Sequence, residues 1–323
     1  MKNFLHKVVV FFSIILFFLL GSVFLVKYCG SLKINGDQEI IVVGHSHPEC
    51  AFNDSIITGL SNFSASGESY FYTYYKTKKL VVQNPQLQVI FIECSNAQIC
   101  KLMDDWIWDE MYLSHFFPVY ALFLDNEGYN LLYQKNSRGI KKNIVPVLKY
   151  NFKVIAGGLK YTNRIGGYLE LYNLKSDSLW NKNKDELSSK ILNEISEINM
   201  EYLVRLIKFC KKSGVKVFLI RSPVHKEYPG YKNEPLFREI LSSRFSGIEF
   251  LDFSKFPLND SEFADLEHLN FKGAKIFSTW IDELLNDSLL ERDDKQVFIN
   301  EEMNKYKFIP IDEYDVMTSN ERF

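Results

Sequence analysis

The sequence predicts an α/β fold: a three-layer α/β/α sandwich around a five-stranded parallel sheet, preceded by one transmembrane helix. Three observations carry this. Five short apolar runs recur along the chain, at Ile40 to Val43, Asn62 to Ser66, Gln88 to Glu93, Val215 to Arg221 and Gly247 to Asp252. Most of them are continuous rather than alternating, as strands covered on both faces are. Helix-period segments separate them, which is the pattern of parallel strands joined by crossovers. Before all of this, Val8 to Val26 runs for 19 positions without a charge.

That amino-terminal run spans about 28 Å as a helix, close to the hydrocarbon thickness of a bilayer. Lys2 and Lys7 precede it, which favours an amino terminus in the cytoplasm and the remainder of the chain outside it. A cleaved signal peptide is the rival reading. The run is longer than a usual signal core, however, and bulky Val26-Lys27-Tyr28-Cys29 follows it rather than a small-x-small site.

Composition narrows the rest. A hydrophobic fraction of 46% across 323 residues is ample for a packed core. The formal net charge of −2 gives no basic field for nucleic acid. Five separated cysteines contain no CxxC pair, so neither a structural zinc site nor a dense disulfide framework is indicated, and one disulfide stays open.

The elements follow in order. After the anchor, residues 30–38 form a polar linker. Strand Ile40 to Val43 ends at Gly44, where the chain turns into His45-Ser46-His47-Pro48. A short helix is expected over Phe52 to Leu60, then strand Asn62 to Ser66, broken by Gly67. Glu68 to Leu80 has helical spacing and ends in Lys76, Lys78 and Lys79, which suits a helix carboxyl terminus. Strand Gln88 to Glu93 leads into Cys94-Ser95-Asn96. From about residue 97 to 200 the alternation stops, and a largely helical insertion is expected. Its aromatics between Trp106 and Tyr120 read as a local core or as a lid over the Ser46 turn. A long helix is expected over Asp185 to Ser213, stopped by Gly214. Strand Val215 to Arg221 opens into Ser222-Pro223-Val224-His225. A helix over Leu236 to Phe245, strand Gly247 to Asp252, the loop carrying Asp265-x-x-His268 and a helix over Lys272 to Leu285 complete the unit. Residues 289–323 are mostly charged and read as a peripheral tail. The organisation is therefore a cytoplasmic stub and anchor at 1–29, an α/β domain at 30–288 and a polar tail at 289–323.

In this topology the residues just beyond strand carboxyl ends share one rim, where open α/β sheets hold ligands. Ser46, Gly67, Asn96, His225 and the Asp265/His268 pair all fall there. A serine, an imidazole and a carboxylate that converge from opposite ends of a chain form a nucleophile, its base and the group that orients the base.

With these residues in place the chain resembles the SGNH, or GDSL-like, hydrolase superfamily, whose fold is flavodoxin-like. The resemblance rests on Gly44-His45-Ser46, on Gly67 in Ser66-Gly67-Glu68, on Asn96 in Ser95-Asn96-Ala97 and on Asp265-x-x-His268 followed by Leu269-Asn270. It covers about residues 39–96 and 214–286. His45 stands where the family has Asp, and the glycine before the asparagine is absent. The resemblance implies acyl transfer with Ser46 as nucleophile, His268 as base and Asp265 as its partner. It also implies an oxyanion hole from the Ser46 and Gly67 amides and the Asn96 side chain, with no cofactor. The anchor and insertion look more like the DltD and alginate O-acetylation branch than like small secreted lipases, which implies an acylated glycan or small ester substrate in the cell envelope.

His45, His47 and His225 are candidate site-lining residues, and Glu267 reads as solvated. Two other readings stand beside the hydrolase. His45-x-His47 with Glu49 and Cys50 offers zinc-ligand types, but neighbours so close in a tight turn seldom converge, so no metal is expected. The other is a non-catalytic scaffold that binds a glycan or a membrane acyltransferase partner.

Overall fold

A computed structural model describes residues 1–161, 165–172 and 194–306. Its centre is a five-stranded sheet in which every neighbouring pair is parallel, with strand order β2-β1-β3-β4-β5. The strands are β1 (Ile40–Val43), β2 (Leu60–Asn62), β3 (Val89–Glu93), β4 (Lys216–Arg221) and β5 (Glu249–Asp252). The described helices are α1 (Lys2–Cys29), α2 (Ser46–Ala51), α3 (Tyr70–Gln83), α4 (Asp105–Trp108), α5 (Glu110–Tyr120), α6 (Asn126–Lys142), α7 (Ile144–Ala156), α8 (Glu197–Lys212), α9 (Glu234–Arg244), α10 (Phe271–Asn286) and α11 (Lys295–Tyr306).

The period-2 alternation of strand side chains builds the three layers. Ile41, Val43, Ile90, Ile92, Val217 and Leu219 face one core, shared with residues of α3, α5 and α8. Val42, Val89, Phe91, Phe218 and Ile220 face the other, against Phe277, Trp280, Ile281 and Leu284 of α10. Burying each such large side chain contributes about 1.5–3 kcal/mol, so the interior strands read as unbroken apolar runs.

α1 is long and apolar enough to cross a membrane, with a mean hydropathy of 2.9 over its most apolar window. Ser22 and Val26, in its last turns, are buried, and the helix packs on α7. None of the five cysteines, all among the described residues, forms a disulfide.

Several boundaries differ from the sequence expectation. The helix after the Ser46 turn occupies Ser46–Ala51, not Phe52 to Leu60. Asn53 accepts the Ser55 N–H in a side-chain turn, and Asp54 reaches across the loop to accept the Asn62 N–H at the end of β2, so neither sits in a helix. The second strand is Leu60–Asn62 rather than Asn62 to Ser66. The Asn62 side chain ends it by accepting the Ser64 N–H while donating to the carbonyls of Pro48 and Phe52. α8 starts at Glu197, capped by Ser196, whose hydroxyl accepts the Asn199 N–H. Ile195 instead bridges to Cys100; Asp185, Leu187 and Ile191 lie outside the described residues. The carboxyl-terminal stretch is not simply peripheral. Leu289 is buried, and α11 lays Ile299 and Met303 into the second core beside β5. The remainder of the expected tail lies outside the described residues. Within 97–200, the described segments form α4 to α7 and the start of α8.

Candidate active site

Gly44 makes the turn after β1 possible. Its φ is +157°, and a Cβ there would fall 2.5 Å from the Glu93 Cβ and 3.0 Å from Pro48. The chain therefore folds back over the end of β3 only without a side chain at 44. His45 caps α2 through Nδ1, which accepts the His47 N–H at 3.4 Å, and its Nε2 lies 3.0 Å from the Ser95 hydroxyl. Burial, with His47 and His268 nearby, lowers the His45 pKa well below the usual range, so the ring is a neutral positioning group rather than a proton carrier.

Ser46 comes next and is partly exposed. Its hydroxyl lies 2.7 Å from His268 Nε2. The His268 Nδ1 lies 2.9 Å from each oxygen of Asp265. The backbone N–H groups of Glu267 and His268 also donate to Asp265, at 2.7 and 2.9 Å. Burial opposes the charged carboxylate, but these donors outweigh it and hold the Asp265 pKa below its ordinary value. An ionised Asp265 fixes the Nδ1–H tautomer, leaving Nε2 to accept from Ser46.

The loop that carries this pair is pinned from both sides. Ala264 N–H donates to the His268 carbonyl, and His225 N–H donates to the Leu266 carbonyl. Asn270 caps α10 through the N–H groups of Lys272 and Gly273 and donates to the Ser261 carbonyl at 2.7 Å. His225 itself is buried, 3.0 Å from Asp260 and edge-on to Phe263. It supports the loop rather than lining the site.

Gly67 has a φ of +76°, in the left-handed region that favours glycine. Its loop is tied to the serine turn, because Ala65 N–H donates to the Gly44 carbonyl and Ser66 hydrogen-bonds Glu49. The Tyr112 ring closes on Gly67, where a Cβ would meet it at 3.0 Å. Trp106 stacks on Tyr112 and stands edge-on to His45. The insertion thus divides: Trp106 and Tyr112 wall the site, whereas Phe116, Phe117 and Tyr120 are buried core.

Asn96 does not face this cluster with a spare donor. Its Nδ2 donates to Asn233 at 3.1 Å and to Glu234 at 2.8 Å, and its Oδ1 accepts from Arg221 at 2.8 Å. The oxyanion role expected of it is taken over by a structural one, because the buried Arg221 needs its carbonyl.

His47 is the residue whose surroundings the sequence conceals most. It is buried, with Nε2 3.7 Å from Glu267 and Nδ1 3.8 Å from Glu93. Burial pushes its pKa down, but the two carboxylates outweigh this and lift it to about 9. His47 also stands edge-on to His268, with ring centroids 5.7 Å apart. Glu267 is therefore no solvated side chain. Glu93, the last residue of β3, is fully buried and accepts from the backbone and hydroxyl of Ser222. A charge closing an otherwise apolar strand is the signal that could have found it. The zinc set suggested by His45, His47, Glu49 and Cys50 does not assemble: the two histidines group with Glu93, and among the described residues Glu49 is held by Ser66.

A family model that carries no functional description matches residues 170–290. No curated protein sequence matches the chain. Among solved structures, the chain is similar to a candidate acylhydrolase from Bacteroides fragilis, at 10% identity and a TM-score of 0.35, over 81% of this chain and 93% of that one.

Proposed function

We propose that the protein is a membrane-anchored extracytoplasmic serine esterase or O-acyltransferase of the SGNH type, working through Ser46, His268 and Asp265. The observation that carries this reading is the unbroken hydrogen-bonded line from Ser46 through His268 to Asp265 at 2.7 and 2.9 Å, joining residues 222 positions apart. All three are partly exposed, so an ester can reach them.

In the first half-reaction His268 Nε2 takes the Ser46 proton as the oxygen attacks an acyl carbonyl. The Ser46 and Gly67 amides are the donors for the resulting oxyanion. Collapse expels the alcohol, which receives the proton from His268, and leaves an acyl-serine. Water or a sugar hydroxyl, deprotonated by the same imidazole, then takes the acyl group and restores Ser46. Asp265 orients the ring and stabilises the imidazolium between the two steps.

The substrate is an acyl ester of a cell-envelope glycan or polymer, as in the DltD and alginate O-acetylation branch that the sequence resembles. Lys2 and Lys7, in the first turns of α1 and ahead of its uncharged run, support an amino terminus in the cytoplasm and the site outside it. One observation favours the alternative, a silent scaffold that binds a glycan or a membrane acyltransferase: both Asn96 amide hydrogens are already used.

Hydrolysis of a chromogenic acetate separates the two. Wild type turns over and Ser46→Ala does not if the reading holds; equal rates in both overturn it.

A further inference from the structure

We infer that His47, Glu267 and His268 form a binding site for a zinc-class divalent cation, and that the cation and acyl transfer exclude one another. One donor atom from each of the three residues lies within 4.8 Å of the other two. Two imidazoles and a carboxylate are a ligand set that suits zinc over magnesium or calcium.

The orientation of the rings makes the grouping more than proximity. His268 has its Nδ1 taken by Asp265 at 2.9 Å, so Nε2 is its only donor left. His47 turns Nε2 toward Glu267 at 3.7 Å and Nδ1 toward Glu93 at 3.8 Å. Zinc bonds of about 2.0–2.2 Å in a tetrahedron place neighbouring donors about 3.4 Å apart, near the 3.7 Å between His47 Nε2 and Glu267. Each imidazole thus carries a carboxylate behind its Nδ1, which is how metal-bound histidines are commonly oriented. Buried His47 Nδ1 has no hydrogen-bond partner, the mark of a ring that the protein alone leaves unsettled. Three carboxylates, from Glu93, Asp265 and Glu267, surround the two imidazoles, and a divalent cation that displaces the Nε2 proton of His47 into solvent balances them.

The consequence follows from one lone pair. Ser46 sits 2.7 Å from His268 Nε2, the atom a cation would bind. Once the cation holds that lone pair, His268 can neither accept the Ser46 proton nor return it. The serine oxygen is then placed as the fourth ligand of a tetrahedral site. Binding stands on the side-chain geometry alone, whereas its inhibitory effect rests on the proposed esterase chemistry.

The test titrates tag-free, full-length protein in detergent with zinc chloride by calorimetry, and with cobalt(II) by visible absorption. A single equivalent of zinc binds with micromolar affinity or better, and cobalt(II) gives the intense visible bands of four-coordinate geometry. His47→Gln and Glu267→Gln each weaken zinc by at least about 100-fold, beyond the loss usual for an outer-shell partner. Ser46→Ala keeps the site. No stoichiometric zinc binding by wild type, a six-coordinate cobalt spectrum, or affinity unchanged in His47→Gln overturns the inference, even if the variants fold poorly. Bound zinc with undiminished ester hydrolysis overturns the exclusion. An inactive enzyme that still binds zinc this way would reject the esterase reading and leave the site standing.

Discussion

Ser46 follows β1 and Arg221 ends β4, so the polar clusters around them share one rim of the sheet. Around Arg221 the accounting closes. Its guanidinium makes five hydrogen bonds, to Asp252, Glu234 and Asn96, and lies against the rings of Tyr231 and Phe237. The side chain is 2% exposed, and no donor is left for a ligand. Around Ser46 it does not close. Ser46, Asp265, Glu267 and His268 stay partly exposed, and His47 Nδ1 makes no hydrogen bond, with Glu93 3.8 Å away. Both clusters hold perturbed charges beyond strand ends. The difference is that one has spent its hydrogen-bonding capacity on the fold, while the other keeps a hydroxyl, two imidazoles and two carboxylates grouped where solvent reaches part of them. Asn96, expected in the open cluster, belongs to the closed one.

The largest expected effects lie in the open cluster. Ser46→Ala or His268→Ala lowers kcat for an acetate ester by about 10⁶-fold, with little change in Tm. If either variant instead melts without losing activity, the contrast between the clusters fails. Asp265→Asn costs about 10⁴-fold, because the carboxamide no longer enforces the Nδ1–H tautomer; steady-state kinetics on the folded variant measure it.

In the closed cluster the loss appears as stability. Asp252→Asn removes one of the two carboxylates that hold the buried guanidinium and costs about 3–5 kcal/mol in chemical denaturation. Burial raises the Asp252 pKa, but Arg221, Ser254 and Arg238 outweigh it and hold it at about 2, below the ordinary 3.8. A depressed folded pKa means that this stabilisation is complete above about pH 4 and is lost as the pH falls toward 2. It amounts to about 2 kcal/mol, and its dependence on pH is absent from the asparagine variant. Denaturation midpoints at pH 5 and pH 3 compare the two.

The smallest effect sharpens the boundary. Asn96→Ala changes kcat by less than about tenfold, against the 10²–10³ typical of a lost oxyanion donor, while lowering stability by about 1–3 kcal/mol. A large kcat loss with an unchanged Tm would return Asn96 to the reacting centre.

Much of the sheet was legible because Ile40 to Val43, Gln88 to Glu93 and Val215 to Arg221 are continuous apolar runs, which few arrangements other than a covered strand satisfy. The boundaries at Phe52 to Leu60 and Asn62 to Ser66 were not, because side-chain turns at Asn53 and Asn62, with the Asp54 bond to the Asn62 N–H, override weak local propensity. Ser46, Asp265 and His268 could be found since each follows a strand and the spacing Asp-x-x-His suits a loop. The roles of Glu93, Glu267 and His47 depend on three segments meeting, and no local pattern encodes such a meeting. The surroundings of Asn96 were hidden for the same reason: its partners Asn233 and Glu234 lie 137 and 138 residues away.

The most direct measurement is covalent labelling of the folded, full-length protein with a fluorophosphonate at neutral pH, with the modified peptide mapped by mass spectrometry. Wild type is labelled at Ser46, and His268→Ala is not, because the hydroxyl is reactive only when its proton has somewhere to go. A wild-type protein that stays unlabelled, or one labelled equally with and without His268, contradicts the account.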